Sequence, residues 1–425
     1  MDVFCPVDGR TVADVGGDLF ALLDALPDPR PTRWRRHPLG YVLAVVFCAF
    51  TTPGFESLAA AAQWAGDPAR TREQLLALGA WRDPFDGRVY PPSEPTIRGI
   101  LTGIDPDALT RACVTWTLAH LRTTPDAGAH DGHARAQAEH DGAVMAVRLK
   151  ALAMDGKRAR GARHQHGSMP GFMAAVTHDR PVVVAQRAIP DKTSEIPCVP
   201  TLLADLRAVG WDLPSTVVTL DALHTVRDTA ERIRAADAHY LMIVKANRAD
   251  LYTRCADLIT HADPEKLRRD TTTSRGHGRT EERILIALAL THNDRVDFPD
   301  AAQVLRIVRY TGGLDGQRTT KEVVHAITSL PRRRADAPDL NVLARGHWQI
   351  EALHHVRDVT FNEDTSHART KTLPTTLAVI RNTIIAALRL AGATNIAKAR
   401  RWASNAIDRI TALFTKPANL DISAL

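Results

Sequence analysis

The chain has 425 residues, 44% of them hydrophobic and 24% charged; this is the make-up of a globular protein of two or three domains and excludes a disordered or fibrous one. Its net charge of +6 leans towards a polyanionic partner, as nucleic acid would be. Five scattered cysteines (Cys5, Cys48, Cys113, Cys198, Cys255), without a Cys-x-x-Cys pair, exclude a disulfide framework and a zinc ribbon and suit a reducing cytosol.

The N-terminal "MDVFCPVDGRTV" lacks a basic stretch leading into an apolar run, so no secretory signal is expected. From Leu19 to Leu121 the pattern is helical. "DLFALLDALPDPRPTRWRRHPLGYVLAVVFCAF" reads as a helix, a Pro-broken basic loop and an apolar helix; the apolar run Leu39–Phe50 is too short to span a bilayer. "PPSEPTIRGILTGI" starts a helix with Ser93 or Thr96 as N-cap, and "DPDALTRACVTWTLAHLRTT" is a further helix of period 3.6. Thr123 to Asp141 is polar, aperiodic and histidine-rich, and reads as a connector, with a metal-binding tract as the alternative.

The pattern then changes. "AVMAVRLKALAMDGKRAR" is a strand running into Asp155 and Gly156, and "GFMAAVTHDRPVVVAQRAIPDKTSE" is two strands joined at His-Asp-Arg-Pro. "EIPCVPTLLADLRAVGW" is a helix, "STVVTLDALHT" a strand ending at Asp221, "VRDTAERIRAADA" a helix and "HYLMIVKAN" a strand. The order β-β-β-α-β-α-β predicts a mixed sheet with packed helices. Between Thr271 and Leu330, "ERILIALAL", "AAQVLRIVRYTG" and "KEVVHAITSL" predict a β-rich insertion. The segment "RGHWQIEALHHVRDVTFNED" is an amphipathic helix with Ile350, Leu353 and Val356 on its apolar stripe, and helices close the chain. The expected organisation is a helical N-terminal domain over 1–122, a linker over 123–142, a mixed-sheet core over 143–270 and 334–425, and the insertion over 271–333.

Two strands end in an acid, "ALAMD" and "VVTLD", where open sheets bind ligands. Singly, such an Asp is a turn former or a helix cap. Glu351 sits beside an apolar stripe among His347, His354, His355 and Asp358; alone it is either a solvated carboxylate or a metal ligand. Three acids gathered at one sheet edge repel unless a divalent cation neutralises them, and hard oxygen donors suit Mg²⁺ or Mn²⁺. Such a centre performs two-metal phosphoryl chemistry.

Six motifs in order, "AMDGKRARG", "DKTSEIPCVPTLL", "VVTLDALHT", "YLMIVKANRADL", "HGRTEER" and "HWQIEALHHVRDVTFNED", together with "LPDPRPTRWRRHPLGYVLAVVFCAF" and "PPSEPTIRGIL" before them, resemble the DDE transposases of bacterial insertion sequences, specifically the ISAs group of the IS-four-like class, over residues 18 to 395. The resemblance implies an α+β, RNase H-like core behind a helical, DNA-binding N-terminal domain. It implies Asp155, Asp221 and Glu351 as catalytic and metal-holding residues, two Mg²⁺ or Mn²⁺ ions, terminal inverted repeats and target DNA as partners, a homodimer or larger synapse, and a cytoplasmic, nucleoid-associated setting without a membrane. The wider class carries Tyr, Arg, Glu and Lys around the third acid, where this chain has Ala344, His347, Glu351 and Asp358. The narrower group's His-Trp-x-Ile-Glu is matched from His347 to Glu351. Ala352 stands where that group usually has Asn, and "DKTSEI" replaces its Lys-Ser-Asn-Glu.

Several basic residues are candidates for DNA. Lys157 and Arg158 follow the first acid, where they hold a phosphate or form a solvated basic loop. Lys192, with Glu195, is either near the active edge or on the surface. Lys245 and Asn247 follow a strand; Arg279 lies in "RGHGRTEER" with His277, Glu281 and Arg283, as a DNA contact or an ion-pair network. Arg33, Arg35 and Arg36, with Arg30 and His37, surround Trp34 as a polyanion contact or an exposed loop. His347, His354 and His355 are read as residues that orient or solvate their helix. The function expected is cleavage at element ends and strand transfer. The alternatives are a nuclease of the same fold that does not join DNA, and a catalytically idle DNA-binding descendant.

Overall fold

The computed structural model describes residues 18–123, 149–162, 169–190, 195–276, 278–314 and 318–425. Most of the expected linker, together with Lys192 and His277, lies outside these residues. The N-terminal helices are α1 (Leu19–Asp24), α2 (Leu39–Thr51), α3 (Leu58–Gly66), α4 (Arg72–Ala77), α5 (Glu94–Gly103) and α6 (Pro106–Thr123). Ser93 is the residue at the N-cap of α5, with Pro95 in the first turn. All thirteen residues of α2 are buried, which is why its sequence is apolar all round.

Strands β1 (Lys150–Arg158), β2 (Gly171–Thr177) and β3 (Val183–Ile189) are followed by α7 (Cys198–Ala208), β4 (Thr216–Leu220), α8 (Arg227–Ala235), β5 (His239–Val244) and α9 (Ala249–Thr260). The chain then forms a meander of β6 (Leu267–Gly276), β7 (Arg279–Ala289), β8 (Gln303–Gly313) and β9 (Arg318–Thr328). It ends in α10 (Ala337–Gly346), α11 (Trp348–His355), α12 (Leu373–Leu390), α13 (Ile396–Ser404) and α14 (Ile407–Thr415). The nine strands make one sheet in the order β3-β2-β1-β4-β5-β9-β8-β7-β6. β1 and β2, and β2 and β3, pair antiparallel, whereas β1–β4 and β4–β5 are parallel; this is the mixed sheet expected of an RNase H-like core. The insertion strands do not form a separate body: β9 pairs antiparallel with β5 and carries the sheet outwards. β6, "LRRDTTTSRG", has no buried residue, so it carries no hydrophobic signal in the sequence and is held by its ladder to β7.

Both faces of the first five strands are covered. Leu152 and Met154 of β1 enter a core with Val199 and Leu202 of α7 and Ile233 of α8. Ala153, one residue out of phase, faces a second core shared by α2, α6, α12 and α14, together with Ile350 and Leu353 of α11. The N-terminal and C-terminal helices therefore build one layer. Arg400 of α13 fastens it: its Nη2 donates to the Phe50 and Thr52 carbonyls at the C-terminal end of α2 (2.8 and 3.2 Å) and pairs with Glu56 at 2.6 Å, and its Nε donates to Thr51 at 3.1 Å. The guanidinium satisfies carbonyls that the helix end leaves without partners. α12 is long and apolar enough to cross a membrane, but 89% of its most apolar stretch is buried inside the fold. The four described cysteines are free and buried.

Candidate active site

Strand alternation puts the two aspartates on one face. Asp155 shares the parity of Ala153, which faces α11, and Asp221 immediately follows β4 with the parity of Val217 and Thr219. The parallel β1–β4 register pairs Ala153 with Thr219, so Asp155 and Asp221, two positions further on, stand side by side; contrary to the strand-end expectation, β1 continues past Asp155 to Arg158 along β2, and only Asp221 follows the end of its strand. Asp221 Oδ1 accepts from the Leu223 and His224 amides (3.0 and 3.4 Å), which organises the turn after β4. Asn247 Nδ2 donates to the Ala222 carbonyl at 3.0 Å, and Thr225 Oγ1 donates to the Ile243 carbonyl at 2.6 Å, so the same turn is pinned to β5 and to the loop after it.

Glu351 lies on α11 across a cleft lined by Asp221, Lys245, Arg309, His347 and Trp348. Thr219 Oγ1 bridges the His178 and His347 rings (3.0 and 3.1 Å), tying β4 to the start of α11. Gly346 at the α10–α11 junction leaves room for His178; a Cβ there would stand 2.1 Å from its ring nitrogen. After His355 the helix widens into a π turn over Val356–Thr360, a local distortion frequent at functional sites. Arg357 in that turn is buried and donates from Nε and Nη2 to Glu363 (2.8 and 2.7 Å), which Arg381 of α12 also contacts at 3.2 Å. The helix that carries Glu351 is thereby anchored in the core at its C-terminal end.

The electrostatics couple the acids through Asp221. Burial pushes the Asp155 carboxyl up to about 7; the Gly156 amide opposes this, and the charges of Asp221 and Glu195 add to it. Glu351 is raised as well, first by burial; Lys245 opposes this and Asp221 adds to it. His354 Nδ1 is 3.7 Å from Asp155 Oδ2, but burial and the neighbouring Arg357 and Lys157 lower its pKa to about 3, so the ring is neutral and no ion pair forms at neutral pH. Among the described residues, the group whose ligand atoms all lie within 4.8 Å of one another is Asp155, Glu195 and His224; Glu351 is not one of its members. Glu195, expected either near the active edge or on the surface, stands beside Asp155, whereas His224, the lone histidine of "LDALHT", carries no signal in the sequence. A divalent cation fits this donor set, since like charges crowd a buried carboxyl that is costly to ionise without one.

The basic candidates divide. Lys157 is buried with its ammonium on Asp358 at 2.6 Å, and it joins β1 to the π turn. Arg158 is half-buried and donates to the Met169 carbonyl at 3.3 Å. Lys245 is exposed in the cleft, and Asn247 braces the Asp221 turn. Arg279 is exposed at the tip of the β6–β7 hairpin. Arg33 is exposed beside Trp34, Arg35 donates to the Arg30 carbonyl and faces Asp28, and Arg36 pairs with Asp83 at 2.8 Å and stacks on Tyr90. Arg309 lies over the Trp348 ring, and buried Arg283 lines the same cleft.

The chain matches the family model of the transposase DDE domain over residues 146–386 and that of the DDE-associated domain over residues 20–117. It is 26% identical over 367 residues to YncI of Escherichia coli O157:H7, a transposase by name, covering 83% of this chain and 82% of that one. It is 24% identical over 357 residues to the H repeat-associated YhhI of E. coli K12, also named as a transposase, covering 81% and 83%. Among solved structures it aligns with the piggyBac transposase synaptic complex with hairpin DNA at a TM-score of 0.31 and 9% identity, over 63% of this chain and 52% of that one. The two domain matches follow one another along the chain, that of the DDE domain spans more than half of it, and the chain therefore belongs to the DDE transposase family.

Proposed function

We propose that this chain is an insertion-sequence transposase of the ISAs type that cleaves at its element's terminal inverted repeats and joins the freed 3′ ends to target DNA. Asp155, Asp221 and Glu351 hold two Mg²⁺ or Mn²⁺ ions. The observation that carries this reading is the placement of Asp155 and Asp221 on adjacent parallel strands, with Asp221 and Glu351 of α11 lining one cleft. When bound, the ions lower the pKa of the attacking water or 3′-hydroxyl and steady the leaving oxygen. The protein's own groups orient the strand. Lys245 offers a cation to the scissile phosphate beside Glu351, and the Trp348 and Arg309 stack supplies a flat cationic face on the other side of the cleft. The chain offers carboxylates where a Ser or Tyr nucleophile would otherwise be needed, so water and the 3′-hydroxyl attack directly, in line. The N-terminal helices and the tip of the β6–β9 meander, with Arg33 and Arg279 exposed, bind the element ends, and two protomers pair the ends in a synapse in the bacterial cytoplasm.

Purified protein, pre-cleaved element ends and a supercoiled target test this. The expected result is metal-dependent joining that Asp155→Ala, Asp221→Ala or Glu351→Ala abolishes while end binding persists. Cutting without joining would establish a nuclease, and joining by any of the three variants would overturn the assignment.

A further inference from the structure

Asp155 has two neighbours that the three-acid reading does not use. Glu195 stands at the turn leading into α7, where its carbonyl accepts from the Cys198 amide at 3.0 Å. His224 is in the turn after β4. One ligand atom from each of Asp155, Glu195 and His224 lies within 4.8 Å of the others, and His224 Nε2 is 3.7 Å from Glu195 Oε2. His224 is fully buried, and neither of its ring nitrogens has a hydrogen-bond partner. Buried polar atoms are almost always satisfied, so an imidazole with two open nitrogens, one of them 3.7 Å from a Glu195 oxygen and grouped with Asp155, is a donor suited to ligating a cation. Its position is not accidental: the Asp221 carboxylate, Asn247 and Thr225 pin the turn that carries it.

Glu195 has a built cradle as well. A Cβ on Gly156 would stand 2.1 Å from Glu195 Cδ and 2.3 and 2.4 Å from its two oxygens. The carboxylate thus lies directly on the backbone next to Asp155, and only a glycine in "AMDGK" admits it. This gives that glycine a reason unrelated to backbone dihedrals.

We propose that Glu195 and His224, together with Asp155, are the protein ligands of one divalent-cation site, a two-carboxylate, one-imidazole site that prefers Mn²⁺ to Mg²⁺. The inference rests on the metal-dependent reading above and adds to it the ligand set and the ion preference. Mg²⁺ takes oxygen donors and keeps its waters, whereas a neutral imidazole nitrogen favours the later divalent ions.

The test uses full-length protein and Mn²⁺ alone. Paramagnetic resonance follows binding through loss of the free-ion signal, and electron spin-echo modulation reports a directly bound nitrogen. The wild type is expected to show ¹⁴N modulation that changes to the ¹⁵N pattern on labelling histidine, a result that needs no variant to fold. His224→Gln should remove the modulation, and both His224→Gln and Glu195→Gln should weaken Mn²⁺ at least about tenfold. Gly156→Ala, which alters no ligand, should weaken Mn²⁺ similarly by displacing Glu195. His224→Gln should also narrow the Mn²⁺ over Mg²⁺ preference. Bound Mn²⁺ without nitrogen modulation, or unchanged affinity in His224→Gln, overturns the inference; if Asp155→Asn and Asp221→Asn still abolish binding, the transposase reading stands without it. Absence of any Mn²⁺ binding overturns it too and leaves the joining assay to judge the wider reading.

Discussion

A buried acid held away from its ordinary pKa should cost the metal-free fold stability, and Asp155 lets this be measured. Its carboxyl is raised from 3.8 to about 7, chiefly by burial. Between those values the folded protein keeps a proton that the unfolded chain has released, so stability falls as pH rises through the window and levels off above it. Three pKa units at about 1.4 kcal/mol each give an upper figure of about 4 kcal/mol. The side chain is 24% exposed, so water screens part of this, leaving about 2–4 kcal/mol. Asp155→Asn keeps the shape without the charge. In chelator-treated protein it should therefore be more stable than the wild type at pH 8, with the gap shrinking towards pH 4. At about 2.1 cal/mol/K per residue, a chain of 425 residues shifts its Tm by roughly 2–4 °C for that energy. Scanning calorimetry from pH 4.5 to 8 reads it. Adding Mn²⁺ should close the gap by stabilising only the wild type. A gap independent of pH, or a variant less stable than the wild type at pH 8, would show that Asp155 is not an uncompensated buried carboxyl.

Three further outcomes are expected. Glu363→Gln leaves the buried Arg357 and Arg381 guanidiniums without their counter-charge and should cost about 3–5 kcal/mol near neutral pH in denaturant titration. Because the neighbouring arginines outweigh burial and hold Glu363 down at about 2, that stabilisation is present above pH 4.5 and should fade as pH falls towards 2. Lys245→Ala should reduce the salt slope of DNA binding by about one and move the acidic limb of the cleavage pH profile upwards, since Lys245 opposes the rise of the Glu351 pKa. Arg33→Ala should likewise lower the salt slope by about one, whereas Arg36→Ala should change it less, because Arg36 is already paired with Asp83 and stacked on Tyr90.

Periodicity was enough to place β1, β4 and β5, the helices α7 and α8 between them, and the apolar helices α2 and α12, because each carries a hydrophobic repeat that local propensity reinforces. Asp155, Asp221 and Glu351 stand out in the sequence as acids closing apolar runs and beside a helical stripe, although β1 continues three residues past Asp155. What the sequence does not encode locally is what pairs with what across the chain. β6 has no buried residue and exists because β7 offers a ladder. The insertion joins the main sheet because β9 finds β5. Lys157 reads as a free cation beside the first acid, yet Asp358, two hundred positions away, holds it. Glu195 and His224 reach Asp155 only through the packing of α7 and the pinned turn after β4, and a charge or an imidazole shows its partner only once tertiary contacts decide who stands within a few ångströms.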